Sequence, residues 1–119
     1  MKEALKSIIE FEDVEAIFFI GKSSETEYIS DSFKNEYEKG RLPKIEEIEA
    51  LVSGLGSLGE AEFIYSKKRI YIRKNEENYL VVLLGFSTPT PMLQLNCDIA
   101  MPELTKQSKP KGLGRFFKR

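Results

Sequence analysis

The chain has 119 residues, of which 41% are hydrophobic and 31% charged, with a formal net charge of −1; this is the size and composition of one globular domain. It contains no histidine and a single cysteine, Cys97, which excludes a Ser-His-Asp triad, a Cys-His pair, an imidazole zinc site, a thiolate metal cage and an intrachain disulfide. The small net charge conceals an asymmetry: residues 1–105 carry 12 basic against 19 acidic side chains, whereas residues 106–119 carry six basic and no acidic ones. An acidic body repels a phosphate backbone, so nucleic acid is not an expected partner.

The opening segment, Lys2 to Phe11, sets Leu5, Ile8 and Ile9 at helical spacing. It has no apolar signal core, and no apolar run approaches the roughly 20 residues of a membrane span, so the expected location is cytoplasmic. Val14 to Ile20 is rich in Ile, Phe and Val and suits a buried strand; Gly21 to Thr26 turns the chain toward a second strand at Glu27 to Ser30. Residues 31–42 are a charged connection with room for a helical turn. Pro43 fits the first turn of a helix over 44–56, whose stripe is Ile45, Ile48, Leu51, Val52 and Leu55 and whose early turns hold Glu46, Glu47 and Glu49.

Three strands follow in quick succession. Glu60 to Ser66 alternates imperfectly, Arg69 to Lys74 alternates cleanly as a strand with one wet face, and Tyr79 to Gly85 is continuously apolar, as a central strand is. Lys67-Lys68 and Asn75 to Asn78 are hairpin turns. Thr88 or Thr90 caps a last helix with Pro91 at its start. Met92, Leu93, Asn96, Cys97, Ile99 and Ala100 form its face, and Pro102 weakens or ends it, although Glu103 to Gln107 could continue beyond a kink. The expected domain spans 1–105, and 106–119 is expected to be a flexible basic tail. Strands joined by hairpins, with a helix between the runs, define an α+β chain of order α-β-β-α-β-β-β-α.

Several motifs invite chemistry and are better explained otherwise. Gly54 to Gly59 spells G-x-G-x-x-G, but a dinucleotide fingerprint follows a strand and opens a helix, whereas these glycines follow a helix and precede a strand. Glu10, Glu12, Asp13 and Glu15, with Glu46, Glu47 and Glu49, read as solvated faces rather than a sheltered acid–base pair. Arg41, Arg69 and Arg73 suggest an arginine finger, yet Arg69 and Arg73 fall on a strand, on the wet face beside Tyr71. Cys97 reads as a small core residue. No nucleophile and base converge, so an enzyme is not expected, and no catalytic, cofactor or metal residue is assigned.

The segments VEAIFFIGKSSETEYIS (14–30), IEEIEALVSGLGSLGEAEFIYSKKRIYIR (45–73) and YLVVLLGFSTPTPMLQLNCDIAMPEL (79–104) resemble the roadblock/dynein light chain family, including bacterial roadblock-type GTPase regulators. The resemblance spans residues 2–105. It departs from the family at the long connection 31–42 and at Pro102. It implies a profilin/longin-like roadblock fold with an antiparallel sheet of order 2-1-5-4-3, the central helix on one face and the terminal helices on the other. It further implies a homodimer joined through the third strand and central helix, at Ile45, Ile48, Glu49, Val52, Glu60, Glu62, Phe63, Ile64 and Tyr65. The function so implied is a non-catalytic regulatory platform for a small Ras-like GTPase. The alternatives are an adaptor holding a motor, secretion or signalling assembly without a GTPase, or a ligand sensor, for which no cavity is evident. The tail residues Arg115, Phe116, Phe117, Lys118 and Arg119 suit weak contact with an anionic membrane or an acidic partner.

Overall fold

Two strands with almost no polar side chains organise the molecule. In the computed structural model, which describes residues 5–21, 24–31, 33–34, 44–65 and 67–108, β1 (Val14–Ile20) and β5 (Asn78–Leu84) pair antiparallel at the centre of a five-stranded sheet. β2 (Glu25–Ile29) flanks β1, β4 (Lys68–Asn75) flanks β5, and β3 (Glu60–Tyr65) lies outside β4, giving the order β2-β1-β5-β4-β3. The sheet order and its antiparallel pairing agree with expectation. So does the series of helices, α1 (Lys6–Ile9), α2 (Ile45–Ser53) and α3 (Thr90–Ser108).

The central strands bury side chains on both faces because helices cover both. Leu5, just before α1, and Ile8 within it, with Leu93, Cys97 and Ala100 from α3, pack on Val14, Ile17, Phe19, Leu80, Val82 and Leu84. Ile48, Val52 and Leu55, from α2 and the turn after it, pack on Ala16, Phe18, Ile20, Ile70, Ile72, Val81 and Leu83. Val14 and Ile17 share a face although three residues apart, because the β1–β5 register slips between Val14 and Ala16. The extra residue, Glu15, makes an ion pair with Lys68.

The turns follow local chemistry. The Lys44 amide donates to Glu47 Oε1 at 2.8 Å, a capping contact that opens α2. Gly54 closes α2, and Gly56 adopts a left-handed φ of 62°. A Cβ on Gly21, at the end of β1, would sit 1.8 Å from Asn78 Oδ1, so a larger residue there would displace the Asn78 side chain.

Three expectations need correction. α1 begins at Lys6 rather than Lys2, residues 1–4 lying outside the described set. The face of β4 expected to be wet is largely covered: Arg69 and Tyr71 are buried beneath α3, and Arg73 is half-buried. At Pro102, where the chain could either end the helix or carry it on past a kink, α3 continues, to Ser108. Proline removes one N–H from the ladder, and the rest of the helix goes on bonding around it. Finally, the face of α3 turned to the sheet is Leu93, Cys97 and Ala100, whereas Met92 and Ile99 face solvent. Pro43 and Arg41 lie outside the described residues, as do Arg115, Phe116, Phe117, Lys118 and Arg119.

Candidate interaction surface

β3 is a sheet border. Its pairing with β4 runs Glu60↔Arg73, Glu62↔Tyr71 and Ile64↔Arg69 on one side-chain face, and Ala61↔Ile72 and Phe63↔Ile70 on the other. The Lys74 amide donates to Gly59 O at 2.8 Å, which fixes the alternation of the ladder. The N–H and C=O groups of Ala61 and Phe63 point toward β4, and those of Glu60, Glu62 and Ile64 point outward. Ile64 is 65% exposed on this border, and Leu58, just before the strand, is exposed as well.

The residues named for the dimer seam divide by environment. Ile48 and Val52 are buried in the chain's own core, and Ile45 packs half-buried against it. α2 therefore offers a neighbour its polar outer side: Glu46, Glu47, Glu49, Ala50 and Ser53 are exposed. Phe63 is half-buried on the α2 face, and Glu60, Glu62 and Ile64 are exposed on the α1/α3 face. Tyr65 closes β3, its side chain lying outside the described set.

Behind the border stands a polar network that the sequence did not reveal. Arg69 Nε donates to Gly85 O at 2.7 Å and Nη1 to Glu62 Oε2 at 3.3 Å and Thr90 Oγ1 at 3.2 Å; Nη2 donates to Thr88 O. Its guanidinium also lies 3.7 Å from the Asp13 carboxylate and 5.7 Å from the Phe86 ring centroid. An arginine engaged on so many sides cannot reach another protein's phosphates. Burial raises the pKa of Asp13, but hydrogen bonds from the Thr88 hydroxyl and amide, with the charge of Arg69, outweigh it and hold the pKa below the ordinary value.

A second network borders a shallow cleft of about 550 Å³ between β3 and α3, lined by Gly59, Glu60, Arg73, Gln94 and Asp98. The Tyr71 hydroxyl donates to Glu60, Gln94 Nε2 donates to Glu60 Oε2 at 2.7 Å, and Arg73 pairs with Asp98. The Tyr71 and Gln94 hydrogen bonds lower the pKa of Glu60, so it stays charged at neutral pH. Among the described residues no group of three potential ligands could hold a metal ion, and no helix is long and apolar enough to cross a membrane.

The outer side of α3 carries a further stripe, Met92, Leu95 and Ile99, all exposed at helical spacing, with exposed Phe86 in the loop before the helix. The spacing was present in the sequence. Which of two apolar stripes faces the sheet is a tertiary matter.

The helix–strand order, the 2-1-5-4-3 antiparallel sheet and the helices on both faces define a roadblock-type α+β fold. Among solved structures, the chain is similar to the crystal structure of MglC from Myxococcus xanthus, a roadblock-family protein, at a TM-score of 0.61 and 15% identity over 89% of this chain and 97% of that one. At that identity the likeness is one of fold. No protein-family model and no curated protein matches the sequence.

Proposed function

We propose that the protein is a non-catalytic homodimeric platform for a small Ras-like GTPase, which it localises or whose GTP hydrolysis it stimulates. The observation that supports this most directly is the outer border of the roadblock-type sheet, where outward amides and carbonyls, exposed Ile64 and half-buried Phe63 make β3 a template for another strand. A second copy related by a two-fold axis satisfies that border and extends the sheet. A stable interface of this kind buries about 800 Å² per partner. Because Ile48 and Val52 are committed to the core, the seam is carried by the strand more than by the helix.

The GTPase reading rests on the family resemblance together with the fold. α2 presents Glu46, Glu47 and Glu49 outward, so a docking GTPase would meet an acidic surface and bring basic residues to it. The test is pull-down of Ras-like GTPases loaded with GDP or a GTP analogue, followed by GTP turnover with and without the protein. Binding in at least one nucleotide state is expected. A dimer that binds none would leave the adaptor reading in its place.

A further inference from the structure

We propose that a second copy pairs with β3 in one particular register, with Phe63 on the two-fold axis. This rests on the dimer reading above and adds to it the arrangement of the seam. Two identical strands paired antiparallel are related by an axis normal to the sheet, so one residue lies on the axis and directly opposed side chains share a face. The available registers are therefore counted by which residue of β3 sits at the centre.

Each register has a different electrostatic and packing outcome. Glu60, Glu62 and Ile64 project to the α1/α3 face, as the contacts of Glu60 with Tyr71 and of Glu62 with Arg69 and Thr90 require; Ala61 and Phe63 project to the α2 face. Centring on Ala61 sets Glu60 of each copy opposite Glu62 of the other, two like-charge pairs. Centring on Glu62 sets that carboxylate against its own copy. Directly opposed like charges destabilise a sheet, and Arg69, which sits by Glu62, is already engaged by Asp13 and two carbonyls. Centring on Ile64 leaves only three residues of β3 facing their counterparts.

Centring on Phe63 avoids all three penalties. Glu62 then faces Ile64 of the second copy on both sides of the axis, and five residues of β3 are paired. Since the backbone groups of Phe63 point to β4, the two Phe63 residues form a non-hydrogen-bonded pair, the kind with the closest side-chain approach, at a Cα separation of about 4.5 Å. On the opposite face the two Ile64 side chains become diagonal neighbours, covering the residue left 65% exposed in one copy. Glu62 and Ile64 exchange their outward amides and carbonyls with the same groups of the second copy.

Disulfide trapping in the full-length protein reads this register. Cys97 is buried and contributes little background. Under mild oxidation, Phe63→Cys is expected to give a covalent dimer, whereas Ala61→Cys and Glu62→Cys are not. Should Phe63→Cys fail to fold, an equimolar mixture of Glu62→Cys and Ile64→Cys decides the matter: a mixed disulfide supports the Phe63 centre, and cross-linking of Glu60→Cys to Ile64→Cys in its place overturns it. Solution mass separates the two levels. A dimer that cross-links through Glu62→Cys sinks the register alone, whereas a protein that stays monomeric at every concentration sinks the dimer reading and the register together.

Discussion

Arg69 on β4 and Asp13 at the entrance to β1 form a buried ion pair at 3.7 Å, their side chains only 7% and 9% exposed. The pair fastens the loop after β5, since Arg69 also binds Gly85 O and Thr88 O while Asp13 accepts from the Thr88 amide at 3.0 Å. Removing one partner of such a pair leaves a buried charge and carbonyls without their donor. Arg69→Ala is expected to lower stability by about 3–5 kcal/mol, read from urea denaturation. Arg69→Met, which keeps the apolar stem, is expected to lose less.

The same site gives the protein an acid-sensitive component. Because the folded pKa of Asp13 lies below its unfolded value, its contribution is fully present above the unfolded pKa and is lost as pH falls through the folded one. Thr88→Val removes the hydroxyl that helps hold the pKa down. Its destabilisation should be evident near pH 7 and shrink toward pH 3, roughly the span over which carboxylates titrate, when denaturation midpoints of variant and wild type are compared across that range.

Phe33 is wholly buried against the α2-side core, and its amide donates to Ser30 Oγ at 3.2 Å. Phe33→Ala should cost about 3–5 kcal/mol, although the residue lies in a stretch otherwise rich in charge. Calorimetry or denaturant titration checks the value.

Cys97 is predicted to be chemically silent. Burial, only partly opposed by the positive charge of Arg73, pushes its thiol pKa up to about 12. A thiol reagent at mildly alkaline pH should label it only once denaturant is added; labelling of the native protein would show that α3 lifts readily from the sheet.

If a GTPase docks on the acidic outer side of α2 as proposed, charge reversal there, by Glu46→Lys together with Glu49→Lys, should weaken its binding with little effect on folding, and added salt should weaken the wild-type complex as well. Ile64→Glu, in contrast, should act on self-association, because it places a carboxylate opposite Glu62 of the second copy. Sedimentation of the two variants separates the docking face from the seam.

Much of this architecture was legible in the residues. The apolar runs at 14–20 and 79–84, the alternation at 69–74 and the hairpin turns between them specify strands whose order the family resemblance then supplied. Three features were hidden for identifiable reasons. A lone Phe33 among charges has no periodicity to betray it. Arg69 sits in an alternating strand, where a charged residue suggests solvent, and only the placement of α3 over that face buries it. Met92, Leu95 and Ile99 were visible as apolar positions, but sequence period alone does not choose between two stripes of one helix. The residues that the resemblance assigns to a dimer seam are divided by the structure between core and border.

The opposite border of the sheet bears on how far assembly proceeds. In a pair joined through β3, β2 lies at both ends of the extended sheet. It is five residues long, carries Glu25 and Glu27, and is distorted by a register slip between Ile17 and Phe18 of its neighbour. Short, acidic, irregular margins resist further strand addition, so growth would stop at two subunits and the protein would be protected from polymerising into fibrils.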